Sequence, residues 1–312
     1  LHELEMLLDN NLIKGGDVNN AIVIVDKPVD EKEMDRLKKI FNENSNIIEN
    51  SAPGPHVKVS GRIEIRGLSY EKILKDVSLT IEPGMRAAFV GRIGSGKSSL
   101  LSLLPRIYPA PNRAIFIDGK PVEDWSLDVL RSQIGFVSQE VFLFSESVYE
   151  NIGFGLVGIG SKEKEEKVKE AARLASVDQE IMGLPRGYGT LLGERGVNLS
   201  GGQKQRVSLA RALATAPPIL ILDDALSAVD VKTEEVILRN LRSRGSKNTE
   251  LIAAHRVSTV KEADRIFVLE QGELVDQGTH SELIKRPSGI YAQFYEVQRL
   301  KEELESYIGG IV

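Results

Sequence analysis

Gly91-Arg92-Ile93-Gly94-Ser95-Gly96-Lys97-Ser98 fits G-x-x-x-x-G-K-[ST], a pattern that can wrap nucleotide phosphates in backbone N–H groups. Glycines at 91, 94 and 96 let the chain curl around an anion and approach it closely. A helix starting at the end of the loop adds unpaired N–H groups and a positive dipole end. In this chemistry Lys97 reaches the β- and γ-phosphates, the Ser98 hydroxyl ligates Mg²⁺, and Arg92, Ile93, Ser95 and Ser99 line the same nucleotide. Asp223 closes the aliphatic run Ile219-Leu220-Ile221-Leu222. An Asp ending a strand is by itself an ordinary solvated turn residue. Behind a phosphate loop it reads as the second acidic group of the site, holding Mg²⁺ through water.

The elements that must carry these residues alternate. Arg62-Ile63-Glu64-Ile65 and Val77 to Ile81 read as strands, and Ala87-Ala88-Phe89-Val90 is an apolar strand running straight into the loop. Ser98 to Leu104 reads as a helix ending at Pro105, and Ala114 to Ile117 as a strand turned by Asp118-Gly119. Ser161 to Ala175 is a charged helix with Val168, Ala171, Ala172 and Ala175 on its apolar side; Gln203 to Ala214 is a second helix. Ile219 to Leu222 has no polar face and must be a buried central strand. Strands alternating with helices predict an α/β core with a mainly parallel sheet.

The chain has 312 residues, 41% of them hydrophobic and 27% charged, which is ordinary for a soluble globular protein of one large domain or two modest ones. A net charge of −5 gives no electrostatic reason to expect nucleic acid. The absence of cysteine excludes disulfides and thiolate metal sites. No stretch approaches the ~20 apolar residues needed to cross a bilayer. The start Leu1-His2-Glu3 lacks an initiator Met and a basic region before an apolar run, so it reads as a fragment or processed product rather than a signal peptide.

Residues 1–50 form a small unit with its own grain. Leu4, Leu7, Leu8 and Leu12 recur at helical spacing, with Gly15-Gly16 as a stop; Ala21 to Val25 reads as a strand, and Glu31 to Phe41 as a helix with Met34, Leu37 and Phe41 on one face. Asn42 to Pro55 has a linker's composition, and the boundary is drawn at 51–60. Residues 61–290 form the main domain, and 291–312 a C-terminal helix and tail with Ile290, Phe294, Val297, Leu300 and Leu304 at amphipathic spacing, expected to pack on that domain. His2, His56 and His280, Asp124-Trp125 and the acidic run Glu163 to Glu166 are read as surface or loop residues.

Leu199-Ser200-Gly201-Gly202-Gln203, taken with the phosphate loop and Leu222-Asp223-Asp224, resembles the ATP-binding-cassette (ABC) ATPase family over residues 61–290. The resemblance implies an α/β fold: a P-loop NTPase cassette with a RecA-like core sheet, an antiparallel β subdomain and an α-helical signature subdomain at about 140–214, here preceded by a small α+β extension. Gln139 matches the family's Q-loop glutamine, which contacts Mg²⁺. Leu199 to Gln203 match the signature, which closes over ATP held by an opposite subunit. Ser227-Ala228-Val229-Asp230 matches the D-loop, and His255 the switch histidine that contacts the γ-phosphate. Phe142-Leu143-Phe144, Asn151-Ile152 and Gly193-Glu194-Arg195-Gly196 resemble exporters, and Asp224 to Asp230 one half of bacterial heterodimeric multidrug exporters. The resemblance therefore implies ATP and Mg²⁺, a second ATP-binding domain as partner, transmembrane domains on another or missing segment, and a soluble chain at the cytoplasmic face of the membrane. An ATP-dependent regulatory or dimerisation module with negligible turnover, and a cassette working on DNA or ribosomes, are alternatives.

Three departures stand out. Asp224 occupies the position where most active family members carry Glu, the general base or water-polarising group. Asp withdraws the carboxylate by roughly 1.5 Å, and misplacement of that order can cost ~100-fold in rate. The implied site binds ATP and turns it over slowly, while the intact signature could complete an active site on a Glu-bearing partner. Tyr70 is the nearest aromatic for stacking adenine, but lies closer to the loop than the family places it; a core aromatic is the alternative. Finally, Leu12 to Asp26 is similar to part of the zinc-dependent deacetylase acting on UDP-acyl-N-acetylglucosamine. That piece includes neither the His-x-x-x-Asp motif nor the catalytic acid, so deacetylase activity is not expected.

Overall fold

The computed structural model describes residues 13–17, 22–25, 59–193, 199–244 and 248–309. Ile13–Asp17 (β1) and Ile22–Val25 (β2) pair antiparallel, Asp17 opposite Ile22. Gly15 and Gly16, expected to stop a helix, lie inside β1, whose pairing with β2 holds them extended although glycine weakens a strand by roughly 0.5–1 kcal/mol. The helices expected over Leu4–Leu12 and Glu31–Phe41 lie outside the described residues, as do His2, His56 and Glu194–Asn198.

In chain order the main domain runs Ile63–Tyr70 (β3), Leu74–Ile81 (β4), Arg86–Val90 (β5), Lys97–Leu103 (α1), Ile115–Ile117 (β6), Lys120–Pro121 (β7), Leu127–Ser132 (α2) and Ile134–Val137 (β8). Val148–Ile152 (α3), Ser161–Leu174 (α4), Asp178–Met182 (α5) and Gly201–Ala214 (α6) follow as a helical block. Ile219–Asp223 (β9), Val231–Ser243 (α7), Thr249–Ala253 (β10), Val257–Val260 (α8), Arg265–Glu270 (β11), Glu273–Gly278 (β12), His280–Leu283 (α9) and Ile290–Gly309 (α10) complete it. One sheet has the order β12-β11-β5-β10-β9-β8, parallel except for the edge strand β12. A second, β4-β3-β6-β7, is antiparallel throughout.

The two-residue strand period divides the core. Ala88, Val90, Leu220, Leu222 and Ile252 join one apolar cluster with Val168 of α4 and Val207 of α6. Their neighbours Ala87, Phe89, Ile219, Ile221 and Leu251 join a second, built with Ile63 and Ile65 of the antiparallel sheet and Leu100 and Leu101 of α1. Both faces of the central strands are thus covered, which is why β5 and β9 are continuously buried. Each fully buried Leu, Ile or Phe contributes roughly 1.5–3 kcal/mol; Phe89 also stacks on Phe267 of β11, ring centroids 5.3 Å apart.

Two surface expectations are overturned. Trp125 is 6% exposed, because its large apolar area outweighs the polarity of its exposed neighbour Asp124. Lys120 covers its ring, the ammonium 4.6 Å from the centroid. His280 is half-buried, its Nδ1 2.7 Å from the buried Tyr291 hydroxyl, and burial lowers its pKa. Tyr291 also sets the roll of α10: Ile290 and Phe294 are partly buried, but Val297 and Leu300 face outward at 53% and 46% exposure.

Candidate nucleotide site

The loop after β5 lies at the C-terminal ends of parallel strands, where β5 is flanked by β10 and β11. It passes so close to β11 that a Cβ on Gly91 would sit 2.1 Å from the Leu269 carbonyl oxygen. Gly96, in the left-handed region at φ 98°, turns the chain into α1 with Leu74 against it. The first N–H groups of α1, those of Lys97, Ser98 and Ser99, have no partner within the helix and are available to an anion.

Lys97 is buried, its ammonium donating to Gly91 O at 2.8 Å, Arg92 O at 3.1 Å and Ser95 Oγ at 3.3 Å. Burial lowers its pKa, opposed by the carboxylates of Asp223 and Asp224. The Ser98 hydroxyl donates to Asp223 Oδ1 at 2.9 Å. Burial raises the Asp223 pKa; the Ser98 bond opposes that rise, the Asp224 charge adds to it, and Lys97 and His255 oppose it. A buried ammonium, a hydroxyl–carboxylate pair and free helix-terminal N–H groups are a donor set that fits a Mg²⁺-bound nucleotide triphosphate. Ile93, by contrast, is 92% exposed on the outer side of the loop.

Asp224 is half-buried and left-handed, φ 50°. Its N–H donates to Ala253 O at 2.9 Å and its carbonyl accepts from the Ser227 hydroxyl at 2.9 Å, so the neighbouring strand and the following turn fix its backbone. His255 stands two residues past the end of β10. Asp224, Ser227, Glu234, Ala253, His255 and Thr259 share the lining of a cavity of about 90 Å³, larger than the ~30 Å³ occupied by one water. Gln139 is exposed two residues beyond β8, whose Val137 is level with Leu222 of β9. Tyr70 ends β3, half-buried against the core of the antiparallel sheet.

The signature residues belong to a different element. Ser200 caps α6, its Oγ accepting from Gln203 N at 3.2 Å while Gln203 Oε1 accepts from Ser200 N at 2.9 Å. Leu199 is buried beneath them. A Cβ on Gly202 would lie 2.8 Å from Ala228 O, so this glycine allows close contact with the segment after β9. Asp230 caps α7 by accepting from Thr233 N at 3.0 Å. No hydrogen bond joins Leu199–Gln203 to the phosphate loop among the described residues.

Sequence reasoning missed the residues that connect these parts. Gln205 donates from Nε2 to Ser227 Oγ at 3.0 Å and accepts at Oε1 from Ala228 N at 2.8 Å, tying α6 to the D-loop match. Arg256 donates to Ser227 O and Val229 O, each at 2.8 Å, and to the buried Glu234 at 2.7 Å. Adjacency was the only signal: Gln205 follows the signature match by two positions, and Arg256 follows His255. In the helical block Asn151 braces Phe144 through both its N–H and its carbonyl, and Arg211 donates to Asn151 Oδ1 at 2.6 Å. Phe144 in turn stacks with the partly exposed Phe154 at 4.6 Å.

Comparison with known proteins agrees with this geometry. Residues 74–227 match a family model described as ABC transporter. A protein of Staphylococcus aureus (strain NCTC 8325 / PS 47), described as a multidrug export ATP-binding/permease protein, is 47% identical over 246 residues, 77% of this chain and 42% of the relative. A counterpart with the same description from S. aureus strain bovine RF122 / ET3-1 is 46% identical over the same shares. A solved bacterial Atm1-family ABC exporter with ATP bound superposes with a TM-score of 0.74 at 36% identity, over 86% of this chain and 48% of that one. The chain thus spans less than half the length of these relatives. Among the described residues no helix is long and apolar enough to cross a membrane.

Proposed function

The chain belongs to the ABC transporters as an ATP-binding domain, and from that premise we propose that it binds and hydrolyses Mg²⁺-ATP to power an exporter of multidrug or lipid-like substrates. The observation that carries the reading is the convergence of buried Lys97, the Ser98–Asp223 pair, Asp224 and His255 at the ends of three neighbouring parallel strands. Ser98, Asp223 and Gln139 would hold Mg²⁺, which when bound neutralises phosphate charge. Gly91 to Ser99 wrap the phosphates, and Tyr70 is the candidate adenine stacker. Lys97 and His255 stabilise the charge that develops as water attacks the γ-phosphate, and Asp224 orients that water.

Leu199–Gln203 and Asp230 act in trans. Two domains close head to tail over two nucleotides, each site combining one chain's phosphate loop with the other's signature. The Asp at 224 favours a non-identical partner bearing Glu, with this chain the slower half of a heterodimer. The partly exposed Phe142 and Phe154 beside the braced Phe144 support docking of a transmembrane partner at the cytoplasmic face of the membrane. The test is steady-state ATP hydrolysis by the chain alone and with a Glu-bearing partner domain, beside Lys97→Ala. Turnover that depends on Lys97 and rises with the partner supports the full reading. ATP binding with no turnover in either setting leaves a nucleotide-dependent clamp, and no ATP binding removes the reading.

A further inference from the structure

The loop carrying His255 is fastened at several points, and one fastening comes from far along the chain. Ala254 N–H donates to Phe89 O at 3.4 Å as β10 ends. Beyond that point the His255 imidazole makes no hydrogen bond among the described residues, so its place is set by its own backbone. The side chain of Gln298, on α10, grips that backbone at two points: Oε1 accepts from Val257 N at 2.6 Å, and Nε2 donates to His255 O. Val257 opens the four-residue helix α8, whose first N–H groups lack partners within the helix. Arg256, between the two gripped peptides, reaches the opposite way to Ser227 O and Val229 O. The loop is therefore stretched between α10 and the turn after β9. An amide suits the position because it presents a donor and an acceptor in one plane; a carboxylate would only accept and an aliphatic side chain would do neither.

We propose that Gln298 is a positioning residue for ATP hydrolysis, fixing the peptides on either side of His255 and making α10 part of the support of the γ-phosphate site. The inference rests on the reading of His255 as the residue that meets the γ-phosphate. Displacement of a reacting group by about 1 Å can cost ~100-fold, so release of this grip is read in turnover and not in nucleotide affinity.

The experiment uses the full chain with radiolabelled ATP, which resolves slow turnover, together with ATP affinity and Tm for His255→Ala, Gln298→Leu, Gln298→Glu and His255→Ala/Gln298→Leu. Gln298→Leu is expected to lower kcat about 10–100-fold, leaving ATP affinity within about two-fold. The double variant should lose no more than His255→Ala alone, because residues acting through one group are not additive. Should Gln298→Leu fail to fold, Gln298→Glu carries the same test, since it keeps an acceptor for Val257 and loses the donor to His255. Normal turnover in the Gln298 variants beside an impaired His255→Ala overturns this inference alone. Losses that multiply in the double variant also overturn it. Normal turnover in His255→Ala removes the reading of the histidine, and this inference with it.

Discussion

The Ser98 hydroxyl and the Asp223 carboxylate meet at 2.9 Å although 125 positions separate them. One comes from the first turn of α1 and the other from the end of β9, where the carboxylate also acts on the ammonium of Lys97. Burial disfavours the charged form of Lys97, so that charge costs stability that the two nearby carboxylates only partly return. Lys97→Met keeps the aliphatic stem and removes the charge. ATP hydrolysis should fall by at least ~100-fold, while Tm stays level or rises. A calorimetric scan beside the ATPase assay checks both. A clear fall in Tm would mean that the bonds to Gly91 O and Arg92 O hold the loop together.

Two glycines of one loop should respond differently to the same methyl group. At Gly91 the added carbon would meet Leu269 O at 2.1 Å, and neither backbone can yield without opening the loop or β11. At Gly94 nothing lies within 4 Å, and only the left-handed backbone at φ 80° resists a side chain. Gly94→Ala should cost ~1–2 kcal/mol, a fall of about 2–8 °C in Tm for a domain of this size. Gly91→Ala should cost more and impair ATP binding as well. Equal losses at both positions would refute the close-approach account of Gly91.

The strands and the loop proposed to hold the phosphates were legible as elements because their signals are local. Ile219–Leu222 is a run of aliphatics that only a two-sided burial can use, and Gly91–Ser98 carries its chemistry in consecutive residues. Val168, Ala171, Ala172 and Ala175 lie buried where the helical period put them. What escaped has no period. Gln205 reaches Ser227 and Ala228, and Gln298 reaches His255 and Val257, through paired side-chain bonds that cross the fold. The roll of α10 was misjudged because several apolar stripes fit its sequence, and a hydroxyl partner at His280 selects the one containing Tyr291. Trp125 escaped because Asp124 and Ser126 flank it in sequence, whereas in space it joins the second apolar cluster with Lys120 over its ring.

The Glu180–Arg206 pair predicts a pH effect. Arg206 Nη1 donates to Glu180 Oε1 at 2.6 Å and Nη2 to Oε2 at 2.9 Å, and Gln203 Nε2 adds a third bond at 2.8 Å. The Arg206 hydrogen bonds, chiefly, hold the Glu180 pKa below the ordinary glutamate value. A carboxylate depressed by folding contributes stability that is present above its unfolded pKa and lost as pH falls through the folded one. Glu180 is partly exposed, so solvent screening keeps the contribution to ~1 kcal/mol. Glu180→Gln should therefore lower Tm at neutral pH by about 2–4 °C, with the gap closing below about pH 4. A gap that is constant through that range would show that packing, not charge, is lost.

Asp224 joins a catalytic expectation to a structural one. Its left-handed backbone, φ 50°, is costly for most side chains, and Asp tolerates it because a short polar chain can bond locally. Glu is less favoured there, yet one methylene longer toward the cavity it shares with His255. Asp224→Glu should thus trade stability for rate: a loss of ~1 kcal/mol, against a gain of up to ~100-fold in ATP turnover. Steady-state hydrolysis at saturating ATP, paired with Tm, measures both sides. A faster and slightly less stable variant supports the slow half of an unequal pair. An unchanged rate would make Asp224 a competent water-orienting group as it stands, and the asymmetry argument for a non-identical partner would fall with it.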